Sequence, residues 1–402
     1  MASSSGQKPD NGSVKRGARV FERERTTRGL PAPEPEVMAA SEVLRARIAA
    51  RIGEAGGWVP FADYMRWALY EPDLGYYSGG ATKFGPAGDF ITAPEITPLF
   101  GATLAEAIAP VLRQTGGIVL EAGAGTGLLA ADVLRRLAEL GTLPERYAIL
   151  EVSGSLRARQ QETIAAQAGE LAERVVWLDA VPQSFCGVLL ANEVLDVLPV
   201  HLVGTAEGEV FERGVTVRDG ALAWEDRPPT PAALAGLEGI ELPRLEGQEY
   251  VTEIHPVARA WVGTLARALQ AGMLLLIDYG YPRETYYVPW RWRGTLQCYF
   301  RHRVVEDPLW LPGAMDITSF VDFTAVAEAA EAEGLETLAF MNQAGFLLAN
   351  GILQRLEERA EPGSLAYLKA ARALQRLIMP HEMGELFKVI ALGRGIELPP
   401  WE

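Results

Sequence analysis

Residues 120–127 read Leu120-Glu121-Ala122-Gly123-Ala124-Gly125-Thr126-Gly127, an acidic, glycine-punctuated turn between the apolar run 117–120 and a helical apolar period from Leu128 to Leu140. A strand that feeds a helix through such a turn opens a nucleotide-cofactor unit, because glycines let the chain bend tightly and let a ligand approach the backbone. The spacing separates two cofactors. The dinucleotide fingerprint G-x-G-x-x-G needs glycine at 128, where this chain has Leu128, so the turn favours S-adenosylmethionine over a dinucleotide. A turn that merely joins a strand to a helix is the alternative.

One strand-helix unit later, the run 147–150 ends in Glu151 and a helix-like stretch 155–168 follows. A carboxylate at the end of the second strand can accept both ribose hydroxyls, a use common to NAD and S-adenosylmethionine sites. Short apolar runs at 175–178 and 188–191 continue the alternation and imply a parallel sheet. In such a sheet, cofactor and substrate meet at the carboxyl ends of the strands. Three of those ends carry polar groups: Asp179, then Asn192-Glu193-Val194-Leu195-Asp196, then Asp278-Tyr279-Gly280. Asn192 and Glu193 are the most informative, since adjacent amide and carboxylate groups ending an apolar strand seldom serve packing alone. Asp179 is read as an adenine contact or a surface turn, Asp278 as a site acid or a turn acid, and Asp196 as an acceptor contact or a helix cap.

With 402 residues and 49% apolar content, the chain can bury a core for one large domain with insertions, or for two domains. Its formal net charge of −15 excludes general nucleic-acid binding, which needs a basic surface. A local basic face from Arg291, Arg293, Arg301 and Arg303 stays open. Only Cys186 and Cys298 occur, so a disulfide framework is not expected. His201, His255, His302 and His381 are too scattered for a metal site. Apolar stretches such as 273–277 fall far short of the roughly 20 residues that span a bilayer, so no membrane insertion is expected.

Residues 1–36, rich in Ser, Gly, Pro and Arg, read as a disordered tail. Asp10, Glu22 and Glu24 interrupt its basic run and argue against a transit peptide. Residues 37–116 form a helical extension that includes the loop 75–92. That loop, with Tyr76, Tyr77, Phe84 and Phe90 among its glycines, either closes over the site or pins the extension to the sheet. Thr97-Pro98 looks like a cap and first turn. Residues 117–402 are the main domain, with insertions near 200–250 and 281–318. Within it, 200–224 alternates like a β-hairpin and 228–243 is a Pro-rich linker. A helix at 257–271 leads into a strand at 273–278. Helices are expected at 319–332 and 365–378, and strands at 336–340 and 387–392.

Taken together, Gly88-Asp89-Phe90-Ile91-Thr92-Ala93-Pro94-Glu95 with Phe100-Gly101, the glycine turn, Ala191-Asn192-Glu193-Val194-Leu195-Asp196-Val197-Leu198-Pro199 and Asp278-Tyr279-Gly280 resemble the MidA family of class I methyltransferases. Gly294-Thr295-Leu296 with Tyr299 and His302, Asp316-Ile317-Thr318 with Val321-Asp322-Phe323, and Met383-Gly384 with Phe387-Lys388 resemble its later motifs. The likeness runs from about Tyr64 to Gly393 and leaves the first 36 residues outside it.

The resemblance implies an α/β fold of the class I, Rossmann-like methyltransferase kind: a seven-stranded, mostly parallel sheet with an N-terminal helical extension and β-rich or helical insertions. It implies S-adenosyl-L-methionine as cofactor and, as partner, a protein substrate: the 49-kDa-type subunit of respiratory complex I, symmetrically dimethylated on arginine during assembly. The setting would be cytoplasmic in a bacterium and the mitochondrial matrix in a eukaryote, and a homodimer is left open. Carried over to the cofactor are Glu121, Gly123, Gly125, Gly127, Glu151, Asp179 and Asn192. Asn192, Glu193 and Asp196 go to the reacting end, and Asp89, Phe90, Thr92, Asp278 and His302 to the substrate or lid side. A guanidinium is always protonated and its lone pairs are delocalised, so methylating one calls for carboxylates that orient it, which Glu193 and Asp196 could supply. Two other readings are a cofactor-binding assembly scaffold without essential catalysis and an NAD-linked oxidoreductase. Leu128, and the lack of a His or Tyr-Lys proton donor at the strand ends, disfavour the latter.

Overall fold

The computed structural model describes residues 30–79 and 92–401. Its centre is a sheet whose main path has seven strands: β1 (Ile118–Ala122), β2 (Tyr147–Leu150), β3 (Val175–Leu178), β4 (Phe185–Asn192), β5 (Leu269–Tyr281), β6 (Glu336–Asn342) and β7 (Phe387–Arg394). They lie in the order β6-β7-β5-β4-β1-β2-β3, with the short strand Val321–Asp322 pairing in parallel at the end of β5. The β1–β2, β2–β3, β1–β4 and β4–β5 ladders are parallel, and only β7 runs against its neighbours.

Central parallel strands are covered on both faces, which is why their runs are continuously apolar. Val188–Ala191 and Met273–Ile277 are at most 3% exposed. Alternate residues serve opposite layers. Val119, Val188, Leu190, Met273 and Leu275 pack against helices Pro98–Thr115 and Leu128–Glu139, whereas Leu120, Leu189, Ala191, Leu274 and Leu276 pack against Pro256–Ala268 and Phe323–Glu331. Each large side chain buried this way contributes roughly 2 kcal/mol. The chain turns back between β1 and β4, and this switch point opens a crevice at their carboxyl ends.

A second layer carries the N-terminal extension. The segment 200–224, expected as a hairpin, belongs to a five-stranded antiparallel sheet. In it Glu209–Arg218 pairs with His201–Ala206, with Ala221–Arg227 and with Trp58–Pro60, and Tyr250–Ile254 pairs with His201–Ala206. Leu44, Ile48 and Ile52 of helix Pro35–Glu54, and Phe61, Tyr64, Met65 and Leu69 of helix Phe61–Tyr70, share one core with Leu202 and Val215 of that sheet. Cys298, Phe300 and Ile317 of a three-stranded sheet (Arg303–Val305, Gln297–Phe300, Asp316–Thr318) join the same core. The extension and both inserted regions are therefore packed as one mass over the crevice. In the Pro-rich stretch expected as a linker, the short helix Pro231–Gly236 is capped by Thr230. Helices Gln343–Ala349 and Ile352–Arg359 were not expected.

No helix among the described residues is long and apolar enough to cross a membrane, and no three of their His, Cys, Asp and Glu side chains gather to hold a metal ion.

Candidate active site

A cavity of about 890 Å³ opens at the carboxyl ends of β1, β2 and β4. The glycine turn, Glu151, Asn192 and Glu193 line one side of it. The other side comes from the N-terminal extension, through Tyr70, Tyr77, Thr92 and Glu95.

The turn after β1 uses its glycines as the sequence suggested. Gly123, Gly125 and Gly127 have φ of 70°, 51° and 88°, a region side chains rarely enter. At Gly123 space is also short: a Cβ there would lie 2.6 Å from Val194 Cγ2, so the ends of β1 and β4 touch. Gly123 and Gly125 line the cavity, while Gly127 caps helix Leu128–Glu139. Glu121, buried at 1% exposure, accepts a 2.6 Å hydrogen bond from the Tyr147 hydroxyl, and burial pushes its carboxyl up to about 7.

Glu151 is held by both oxygens. Oε1 accepts the Ser153 N–H at 2.8 Å and Oε2 accepts Gln160 Nε2 at 3.1 Å. Gln160 Nε2 also donates to the Gly125 carbonyl at 3.1 Å, and the Trp177 indole donates to Gln160 Oε1 at 2.9 Å. Gln160 thus ties the strand-end acid to the glycine turn. Sequence reading passed over it, although an amide four positions before the buried Ile164 on one helix was a usable signal.

At the end of β4, Glu193 sits at φ 54°, a strained conformation for a residue with a side chain. Asp278, fully buried at the end of β5, explains how it is held. Its Oδ2 accepts the N–H groups of Val194, Leu195 and Asp196 at 3.1, 2.9 and 3.2 Å, and its Oδ1 accepts that of Tyr279 at 2.9 Å. The Glu193 N–H donates to the Ile277 carbonyl at 2.9 Å. Its half-buried side chain reaches the cavity, where Asn192 Nδ2 donates to Oε1 at 3.1 Å. Burial first, and then the charge of Asp196, push Glu193 up to about 8.

Asp196 does not line the cavity. It is buried behind the wall and accepts the Tyr279 hydroxyl, and burial raises it to about 6. No helix follows for it to cap, because 195–198 is a turn. Asp278 likewise lies behind the wall as a backbone staple, not on the lid side. Asp179 points outward, its carboxylate 88% exposed and paired with Arg157 at 2.5 Å. His302 is exposed in the turn joining Gln297–Phe300 to Arg303–Val305, away from the cavity lining. Thr92 lines the cavity, and Asp89 and Phe90 lie outside the described residues. Of the arginines expected as a basic face, Arg291 is committed to the Thr285 and Tyr286 carbonyls and stacks on Tyr281 at 4.2 Å.

The remaining wall is aromatic. Tyr70 and Tyr77 stack with centroids 5.7 Å apart. Their hydroxyls donate to the Val197 carbonyl at 2.9 Å and to Asp316 Oδ1 at 3.0 Å. Of the aromatics in the expected lid, Tyr76 is buried in the extension's core while Tyr77 faces the cavity. Charge completes the description. The described lining residues include the acids Asp73, Glu95, Glu121, Glu151 and Glu193, and no Lys, Arg or His. Such a cavity favours a cation near its acids.

A family model of S-adenosyl-L-methionine-dependent methyltransferases matches residues 103–341. The chain is similar to the mitochondrial protein arginine methyltransferase NDUFAF7 of Mus musculus, 31% identical over 84% of this chain and 81% of that one. It is also similar to the NDUFAF7 homolog of Drosophila melanogaster, 28% identical over 91% and 89% of the two chains. Among solved structures, it is similar to a Burkholderia thailandensis protein crystallised with S-adenosyl-homocysteine (49% identity, TM-score 0.86, 92% of this chain and 96% of that one). A native crystal structure from the same organism matches at 48% identity and TM-score 0.84, over the same shares of the two chains.

Proposed function

The chain belongs to the family of S-adenosyl-L-methionine-dependent methyltransferases, and from that premise we propose that it transfers methyl groups to an arginine side chain of a protein. The observation that carries this reading is the acid-lined, aromatic-walled cavity in which the glycine turn and Glu193 share one side and Tyr70 and Tyr77 stand on the other. The finer reading is symmetric dimethylation of an arginine on the 49-kDa-type subunit of respiratory complex I during its assembly. That puts the enzyme in the cytoplasm of a bacterium or the matrix of a mitochondrion, and the relatives named above are called mitochondrial.

The residues present fit the cofactor. Gly123 and Gly125 line the cavity with bare backbone, and the Glu151 carboxylate is fixed where ribose hydroxyls can donate to it. Gly123, Gly125, Glu151, Glu121 and Asn192 would hold it, with Gly127 shaping the turn. When bound, it supplies an electrophilic methyl group on a sulfonium. Glu193 would hold the guanidinium through paired hydrogen bonds and concentrate its positive charge away from the nitrogen being methylated. With a carboxyl near 8, Glu193 is also poised to take the proton that the methylated nitrogen must lose. Asp196 and Asp278 act through the turn they support and through their charge, out of reach of the acceptor. The lining residues from the extension exclude water, which strengthens every interaction within.

The test is to incubate the full chain with methyl-labelled S-adenosyl-L-methionine and an extract of cells lacking the protein, then map the label by mass spectrometry. Symmetric dimethylarginine on the complex I subunit, absent with Glu193→Gln, is the expected result. Label confined to other residue types would overturn the arginine reading. Capture of the subunit with no label would favour a scaffold.

A further inference from the structure

Glu151 is held at its backbone and at its carboxylate by separate groups. Arg157 grips the strand end: its guanidinium donates to the Glu151 carbonyl, to the Leu178 carbonyl at 3.0 Å and to Asp179 Oδ1 at 2.5 Å. The Glu151 N–H donates to the Leu178 carbonyl at 3.2 Å. The direction of the carboxylate is set instead by the Ser153 N–H and by Gln160. A change at Gln160 therefore acts on the acid's side chain while its backbone stays clamped.

The Gln160 amide can sit in only one orientation. The residue is fully buried, its nitrogen donates to Glu151 Oε2 and to the Gly125 carbonyl, both at 3.1 Å, and its oxygen accepts the Trp177 indole N–H at 2.9 Å. An indole N–H only donates, so the atom facing Trp177 must be the amide oxygen and the atom facing Glu151 must be the nitrogen. Turned over, the amide would set its oxygen against a carboxylate and a carbonyl, and its NH2 against an N–H. The helix that carries Gln160, Gly154–Ala168, also lies close against the glycine turn, since a Cβ at Gly127 would be 3.2 Å from Gln160 Cα. Neither Gln160 nor Trp177 lines the cavity.

We propose that Gln160 is the positioning residue of the cofactor's ribose site and that Trp177, on β3, fixes its orientation from outside the cavity. This rests on Glu151 accepting the ribose hydroxyls, as proposed above. With one donor pinning each oxygen, the carboxylate keeps a further lone pair on each for the ribose. Preorganisation of this kind removes an ordering cost from binding, and it benefits only ligands that carry the hydroxyls.

The experiment is calorimetric titration of the full chain with two probes, S-adenosylhomocysteine and its 2′,3′-dideoxy analogue, on wild type, Trp177→Phe, Gln160→Met and the double variant. We expect wild type to prefer S-adenosylhomocysteine by about tenfold or more, as for hydrogen bonds to a charged group. Gln160→Met should lose about tenfold in affinity for S-adenosylhomocysteine and little for the analogue, so that the preference shrinks. Trp177→Phe should shrink it by about threefold, and should change nothing further when Gln160 is already Met. The two probes are compared within each variant, so damage to the fold lowers both together and is told apart from misplacement of Glu151. An undiminished preference in Gln160→Met would overturn the role of Gln160 and leave the ribose reading of Glu151 standing. An undiminished preference in Trp177→Phe, or an equal loss for both probes there, would overturn the role of Trp177. No preference in wild type would overturn the ribose reading and this proposal with it.

Discussion

Asp278 positions Glu193 through the backbone that follows it. One oxygen of the Asp278 carboxylate gathers the peptide N–H groups of the three residues that follow Glu193, at 2.9 to 3.2 Å, and this fixes a turn in which Glu193 itself must take φ 54°. A buried acid on one strand thus sets the direction of a cavity acid on the next.

Replacing Asp278 by Ala leaves those peptide groups without their acceptor, and each buried donor so stranded costs about 1–3 kcal/mol. Asp278→Ala should lower the urea midpoint by the equivalent of at least about 2 kcal/mol and abolish methyl transfer. Asp278→Asn keeps an accepting oxygen and should lose much less stability. Equal midpoints for Asp278→Ala and wild type would mean that the turn holds itself.

The pH dependence follows from Glu193, whose folded value near 8 lies above the ordinary 4.5. A cation pairs with the ionised form, which becomes dominant only above that value. Initial rates should give a kcat/KM that climbs through neutral pH with a limiting slope of about tenfold per unit and levels off above about pH 8. Glu193→Gln should lose about 100-fold or more and show no such rise. A wild-type profile already flat from about pH 6 would refute this role.

Glu121 makes a stability prediction of definite sign. Its folded value of about 7 is raised above the ordinary 4.5, so its contribution is full below the lower value and is lost as pH rises through the higher one. The uncharged variant Glu121→Gln should therefore be more stable than wild type at pH 8 in the absence of cofactor, by at most about 3 kcal/mol. The two should converge near pH 4.5. Thermal melts across that range decide it, and a variant less stable than wild type at pH 8 would reverse the sign.

Gly123→Ala combines a strained φ of 70° with a Cβ 2.6 Å from Val194 Cγ2. Left-handed backbone alone costs about 1–2 kcal/mol. Calorimetry should show S-adenosylhomocysteine affinity reduced about tenfold or more. Adding Val194→Ala removes the clash but not the strain, so it should restore the affinity in part. Full restoration would mean that backbone strain contributes nothing.

Much of this was legible because the signals were local. The glycine turn, Glu151 and the Asn192-Glu193 end are contiguous in sequence and spatially tied to strands that announce themselves as apolar runs. The strands Trp58–Pro60 and Tyr250–Ile254 were not legible, since the first has three residues and a partner more than a hundred residues away. The second is broken by Thr252 and Glu253, the acid being buried and satisfied by the N–H groups of Thr295 and Leu296. Asp196 and Asp278 drew notice as strand-end acids, yet nothing local says that one faces Tyr279 and the other the backbone.

The pairing of Trp58–Pro60 with Glu209–Arg218 belongs to a set of very distant ties: the Tyr64 hydroxyl bonds the Pro308 carbonyl, 244 positions away, and Tyr77 bonds Asp316, 239 positions away. On the ribosome, the segment that bears Tyr64 and Tyr77 must wait for residues 308 and 316 before these ties form. Folding by such long-range closure is slow, and a nascent chain stopped before residue 308 would lack both ties. This wall of the cavity is thus withheld until residue 316 has been made, and shorter chains leave the extension's apolar faces partly uncovered.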